Sequence, residues 1–270
     1  MKKNLLILMT AILLSINSYA GFPIGKGKTI YSFASNYFHS NSNFDKDWHM
    51  YNSGSDFSSY YLSLFVAHGL TRRWDVFASL PYIIEKSTGG PVNLSRSDFS
   101  DFIGGISYTV PNRLFNKYTS FKLSGIMPLS HGTTPLPISY DANGVDFTVN
   151  YTNSAKFHGK GYFSIEAAYR HYYAIDGPDQ YYFDYSRFRS LGHYFYLTYG
   201  ASATLSNSIT PDNYSTPNST KDFFSLQTKV ILCKKVRRNV TLYLQGFYTP
   251  IGRNTGVGTG INFFTVLRMP

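Results

Sequence analysis

Glu166 and Arg170 stand four residues apart. In an extended chain that spacing puts both side chains on one face, because successive residues of a strand point to opposite sides. Asp75, Asp101, Lys122, Asp146, Gln227 and Lys229 fall on the equivalent face of other segments. A set of charges converging on a common axis can do two things. It can select what passes, as rings of charge do in pores, or it can pair internally and fill a narrow interior. Tyr194, Tyr196 and Tyr243, with Tyr61, share that face. Their rings could stack on aromatic solutes or simply occupy space.

Nucleophilic chemistry has little to work with. Ser130-His131-Gly132 is the only adjacent Ser–His pair. Neighbours in sequence rarely reach the nucleophile–base–orienter geometry that activates a hydroxyl. The tripeptide also falls in a polar stretch with no hydrolase motif, and His68, His171 and His193 are isolated on apolar segments. No metal-spaced His or carboxylate cluster and no phosphate-cradling glycine loop is present. The single cysteine, Cys233, excludes an intramolecular disulfide and argues against a thiolate zinc site. The expectation is a protein that is not an enzyme and carries no catalytic residue, cofactor or metal.

The segments that must position the charged residues alternate with period two. In 74–84, Trp74, Val76, Ala78, Leu80, Tyr82 and Ile84 share one face, against Asp75, Phe77, Ser79, Pro81 and Ile83. In 101–110, Phe102, Gly104, Ile106, Tyr108 and Val110 oppose Asp101, Gly105, Ser107 and Thr109, with Ile103 as an apolar exception. The same pattern recurs at 29–38, 58–68, 118–128, 145–151, 161–173, 181–189, 193–205, 223–232, 240–248 and 258–267. Period two over such lengths means strands. The reading gives about twelve strands, or ten if 145–151 and 181–189 drop out together.

The chain is rich in aromatic residues, with 24 Tyr and 22 Phe, yet only 15% charged, and its mean hydropathy is −0.19. That mixture excludes a helical membrane protein. It fits an all-β, closed antiparallel transmembrane β-barrel, whose strands turn one face to lipid and the other to a polar lumen. A soluble β-sandwich would also give many short strands, but its outer faces would carry lysine and glutamate. Here one face is apolar strand after strand. Residues 1–20 read as a secretory signal: Lys2 and Lys3, an apolar core from Leu5 to Leu14, and a Ser18-Tyr19-Ala20 cleavage site. That core is shorter than the roughly 20 residues of a spanning helix. Residues 21–270 are then a single barrel domain in the outer membrane, with 21–28 as a lead-in.

With the N-terminus in the periplasm, the longer connections 39–56, 85–98, 129–144, 174–180, 207–220 and 249–257 lie outside. The short turns 69–73, 111–117, 153–160, 190–192 and 233–239 lie in the periplasm. Arg72, Arg73, Arg113, Lys117, Lys156, Lys160, Lys234, Lys235, Arg237 and Arg238 sit in those turns, and no acidic residue does. They could hold anionic lipid head groups or keep the turns solvated. A nucleic-acid footprint is excluded by export. A barrel of about twelve strands lies between side-chain-filled small barrels and open porins. That size favours interior salt bridges that plug the lumen over an open selective lining. The expected partners are outer-membrane lipid, the barrel assembly machinery and a small solute, and the barrel is expected to be monomeric.

The stretches FPIGKGKT, NYFHSNSNFDKDW, GLTRRWDVFASLPYIIEKSTGG and SDFSDFIGGISYTV, within residues 22–110, resemble the MetA-pathway of phenol degradation family. That family is similar to outer-membrane transporters of hydrophobic compounds. The resemblance implies a barrel that passes small hydrophobic or aromatic molecules, and it assigns no binding residue. Leu267-Arg268-Met269-Pro270 departs from the terminal aromatic common in such barrels, and Phe263 and Phe264 lie close by to serve instead.

Overall fold

The computed structural model describes residues 23–89, 93–112, 117–130, 138–153, 161–174, 177–208 and 221–270. The expected signal segment, 1–20, lies outside them, as do Arg113, His131, Gly132, Lys156 and Lys160. The described residues form β1 (Thr29–Phe44), β2 (Met50–Gly69), β3 (Trp74–Thr88), β4 (Leu94–Phe99), β5 (Phe102–Asn112), β6 (Lys117–Met127), β7 (Gly144–Asn153), β8 (Gly161–Tyr172), β9 (Asp179–Ser190), β10 (Phe195–Asn207), β11 (Phe223–Arg237), β12 (Val240–Arg253) and β13 (Thr255–Met269). β4 lies along Tyr82–Ser87 of β3, and β5 along Trp74–Ser79 of the same strand. The thirteen segments therefore make twelve crossings, with β4 and β5 as two halves of one.

Each crossing is antiparallel to the next, and β1 pairs with β13 from Thr29↔Met269 to Phe44↔Thr255. The sheet closes on itself through β1 and β13, the closure that lipid demands of a spanning sheet, with short β4 paired to β3 on one side. The fold is thus an all-β transmembrane barrel, and the sandwich alternative is excluded because the strands of the described residues form one closed sheet. Its faces follow the alternation. Phe33, Leu64, Leu123, Phe183 and Ile261 remain about half exposed on the outside (42–58% for these and Phe263). Ser32, Asn36, Ser63, Ser124 and Thr148 point inward and are buried.

Strand ends depart from the sequence reading. Most of 39–56 is not a loop, since β1 and β2 extend through it to a five-residue tip at 45–49. There Asp45 Oδ1 accepts the backbone N–H groups of Asp47 (2.8 Å) and His49 (2.9 Å). Both ends of 85–98 are strand, and the 249–257 "loop" is a tight reversal at Asn254, which takes φ +49°. The basic turn at 233–239 shrinks to residues 238 and 239 as β11 runs on to Arg237. These extensions lie beyond the apolar belt. Both faces of a strand there can be polar, so the amphipathic signal disappears while the ladder continues.

Candidate functional site

The lumen divides into two storeys. Toward the long-loop end, Phe38 of β1, Phe57 and Tyr61 of β2 and Ile83 of β3 point inward and pack with Ile138. Phe247 of β12 joins them, its ring stacked on Phe38 at 6.1 Å. Ile138 comes from the connection between β6 and β7, and it is fully buried. Residues 138–143 of that connection are therefore folded into the barrel. Ser100 Oγ donates to the Ile138 carbonyl (2.9 Å), and Gln180 Nε2 donates to the Tyr140 hydroxyl (3.1 Å). The Tyr140 ring lies edge-on to Tyr172 at 4.7 Å, and Ala142 packs with Ile126 and Tyr172. Ser100 and Asp101 occupy the break between β4 and β5. The break leaves both buried and facing inward, so Ser100 holds the inserted segment and Asp101 Oδ2 accepts from the Tyr172 hydroxyl (3.3 Å).

Toward the short-turn end the interior opens into a cavity of about 1240 Å³. Asp75, Lys122, Asp146, Glu166 and Arg170 line it, as do Gln227, Lys229 and Tyr243. The charges pair along the wall. Arg170 Nε meets Asp146 Oδ2 at 3.1 Å between adjacent strands. Lys122 Nζ meets Glu166 Oε2 at 3.0 Å across one intervening strand, and Lys229 pairs with Asp184 across another. Asn150 Nδ2 also donates to Glu166 (3.3 Å), and the Tyr182 and Ser186 hydroxyls donate to Asp184 (3.3 and 2.8 Å).

The expectation that salt bridges plug the lumen is corrected on this point. Each of these interior pairs joins strands that are adjacent or one apart, so none bridges the axis and the space between the walls stays open. The narrowing comes instead from apolar side chains and the inserted 138–143 segment. Tyr194 is also corrected. It sits in the bend before β10, is 63% exposed and does not line the chamber. Tyr196 faces inward and packs on Phe188 at 5.1 Å, whose ring lines the cavity. Tyr61 belongs to the upper cluster rather than the chamber.

Three features escaped the sequence reading. Asp184 is buried at the centre of its own cluster, and Tyr181, Phe183 and Tyr185 alternating around it were the available signal. Ile138 and Tyr140 lay in a stretch with no periodicity, and no local signal places a loop inside a barrel. The lead-in also enters the lower mouth. Gly27 N donates to Gly69 O (2.8 Å), Ile24 N donates to Asp75 Oδ2 (3.4 Å), and Pro23 and Ile24 line the chamber. Ser130, of the Ser–His pair, accepts from Arg96 Nη2 at 2.7 Å.

Neither a family model nor a curated protein matches the chain. Solved structures do. An outer membrane channel from Pseudomonas putida F1 superposes with a TM-score of 0.75 at 13% identity, over 94% of this chain and 98% of that one. The beta domain of the Bordetella autotransporter BrkA gives 0.56 at 12% identity, covering 90% and 100%. The NanC porin gives 0.54 at 12% identity, covering 87% and 98%. At such identities the likeness is one of fold. It is the fold of outer-membrane barrels, which agrees with that location.

Proposed function

We propose that the barrel is an outer-membrane channel or transporter for small solutes with an apolar, often aromatic, body. The observation that carries this reading is the chamber of about 1240 Å³, kept open because its interior charges pair along the wall. Phe65 and Phe77 line it together with Phe188, so an aromatic solute meets ring faces as well as polar groups. The resemblance of residues 22–110 to the MetA-pathway of phenol degradation family supports the same substrate class. The fold shared with a channel and a porin supports passage. In this reading the short turns face the periplasm and the barrel acts as a monomer, without catalysis or cofactor. Planar-bilayer recording tests it, paired with liposome swelling in small aromatic solutes. Steady small openings, and faster swelling with an aromatic solute than with a sugar of similar mass, are the expected result. Silence in both assays discards the channel.

The alternative is a non-conducting structural or adhesive barrel. The apolar seal around Ile138 favours it, as does the β1–β2 tip, where Trp48 and Met50 are exposed.

A further inference from the structure

Within the chamber, one patch of wall differs from the rest. Ile30 and Ala34 of β1 and Phe264 and Val266 of β13 form a buried apolar cluster, against which Ile24, Ile231 and Tyr243 pack. Tyr243 and Phe264 are stacked at 4.3 Å with their planes 6° apart. Followed toward the short-turn end, the inward positions of β13 read Phe264, Val266, Arg268, apolar then cationic. The lead-in repeats the change from Ile30 to Lys28, and Arg238 stands in the turn that enters β12. Lys28, Arg238 and Arg268 all line the chamber.

These three cations differ from those higher up. Lys122, Arg170 and Lys229 each have a carboxylate partner. Among the described residues, Lys28, Arg238 and Arg268 have none within ion-pair distance, and all three are exposed. The facing carboxylates are few: Asp146 and Glu166 are already paired, which leaves Asp75, held by the Ile24 N–H. The mouth therefore carries an excess of positive charge beside an apolar floor. Exposed Arg72, Arg73, Lys234, Lys235 and Arg237 lie at the same end. Like charges gathered at one opening raise the local concentration of anions and their rate of entry.

We infer that the lower chamber holds a site for a small organic anion with an apolar body, an aromatic carboxylate in the simplest case, its body on the Ile30–Phe264–Val266 patch and its charge at Lys28, Arg238 and Arg268. The inference deepens the channel reading and rests on it for transport, but binding is separable from conduction. A purely apolar molecule would leave the cations unanswered. A compact inorganic anion would leave the apolar floor wet.

The test is ¹⁹F NMR of 4-fluorobenzoate with the full barrel in lipid nanodiscs. The barrel broadens the probe signal, benzoate or octanoate restores it, and acetate at equal concentration does not. 4-Fluorobenzylamine, of the same shape and opposite charge, stays sharp. Lys28→Gln combined with Arg268→Gln weakens binding on the order of tenfold, as loss of a charged hydrogen-bond partner does. Arg268→Lys retains most of the affinity, and Phe264→Ser loses it with the charges in place. Heat-modifiable gel migration shows which variants are folded. Equal broadening of the amine, displacement by acetate as effective as by benzoate, or unchanged affinity in the folded double variant each overturns the site. A barrel that binds 4-fluorobenzoate but never conducts removes the channel reading and leaves the site. One that conducts without binding the probe removes the site alone.

Discussion

The two walls of the lumen come from the same alternation of side chains but solve different problems. From β6 through β9, and again at β11, the inward residues are hydroxyls, amides and charges tied to one another. Thr152 donates to Asn150 (3.0 Å), Asn150 to Ser164 (3.0 Å) and to Glu166, and Glu166 takes Lys122. From β12 through β13 to β3 the inward face interleaves small polar residues such as Ser32, Asn36 and Ser63 with a run of large apolar side chains, Phe247, Phe264, Phe38, Tyr61 and Ile83. The charges of the polar wall are satisfied sideways, by neighbours on the same wall. The apolar wall closes only where Ile138 is brought to it. So the barrel is narrowed chiefly by apolar contacts, while its ion pairs run along the opposite wall.

The comparison breaks first if the polar wall is not interlocked. Arg170 and Asp146 are both buried, at 6% and 8% exposure. Arg170→Leu removes one partner and leaves the other desolvated, so it should destabilise the barrel by about 4 kcal/mol, as broken buried pairs do. Arg170→Gln with Asp146→Asn should cost much less, because no charge is left alone. Guanidinium titration of the detergent-solubilised barrel measures both. Equal losses in the two variants would mean that the pairing does not hold this wall.

The apolar wall makes the complementary prediction. Phe38 is fully buried and touches Phe57, Phe247 and the Ile138 cluster. Phe38→Ala should cost about 3 kcal/mol, at the low end for a buried Phe because the cluster borders an open chamber. It should also raise unit conductance severalfold in planar bilayers. A destabilised barrel with unchanged conductance would place the narrowest point elsewhere.

How much of this was legible from residues alone follows from where the physics is local. Lipid outside and water inside impose period two, so the strands, the closed barrel and the inward facing of Lys122, Asp146, Glu166 and Arg170 could be read directly. The pairing could not, because Lys122 and Glu166 are 44 residues apart and meet only once β7 lies between them. Tyr194 was misplaced because a strand start was set two residues early, and at a bend the alternation carries no information. The segment at 138–143 was invisible for a further reason. A loop folded inward is specified by contacts to Ser100, Tyr172 and Gln180, none of them near it in sequence. The stretch 254–260, read as the end of a loop and the start of the last strand, lies in β13 from Thr255 on, and its glycines belong to the strand.

Those glycines sharpen the comparison at a smaller scale. A Cβ at Gly260 would lie 2.2 Å from Phe247 Cζ and 2.6 Å from the Tyr37 carbonyl oxygen. One at Gly258 would lie 2.0 Å from Phe38 Cζ. β13 is kept bare so that two rings can lie flat across it. Gly260→Ala forces Phe247 and the backbone of β1 to shift, at a cost of about 2 kcal/mol for overpacking. The stacked pair Phe38–Phe247 should loosen with it, and aromatic near-ultraviolet dichroism reports that change. Stability and dichroism both unchanged would show that the apolar wall tolerates a thicker β13.

The smallest expected effect on stability has the clearest functional reading. Lys122 is partly open to the chamber, with 21% of its side chain exposed against 9% for Glu166. Glu166 is as buried as Asp146, but it is not stranded when Lys122 goes, because Asn150 stays on it and a glutamine at 122 can still donate to it. Lys122→Gln should therefore cost about 1 kcal/mol or less. The field in the chamber changes more than the fold does. Glu166 becomes an uncompensated carboxylate on the polar wall, so the reversal potential in a potassium chloride gradient should move toward cation preference. Glu166→Gln frees Lys122 and should move it the opposite way, and the double variant should return close to the starting value. The pairing along the wall would then set selectivity as well as stability. Shifts of the same sign in both single variants would show that the current does not pass these two residues, and that the polar wall is scaffold rather than lining.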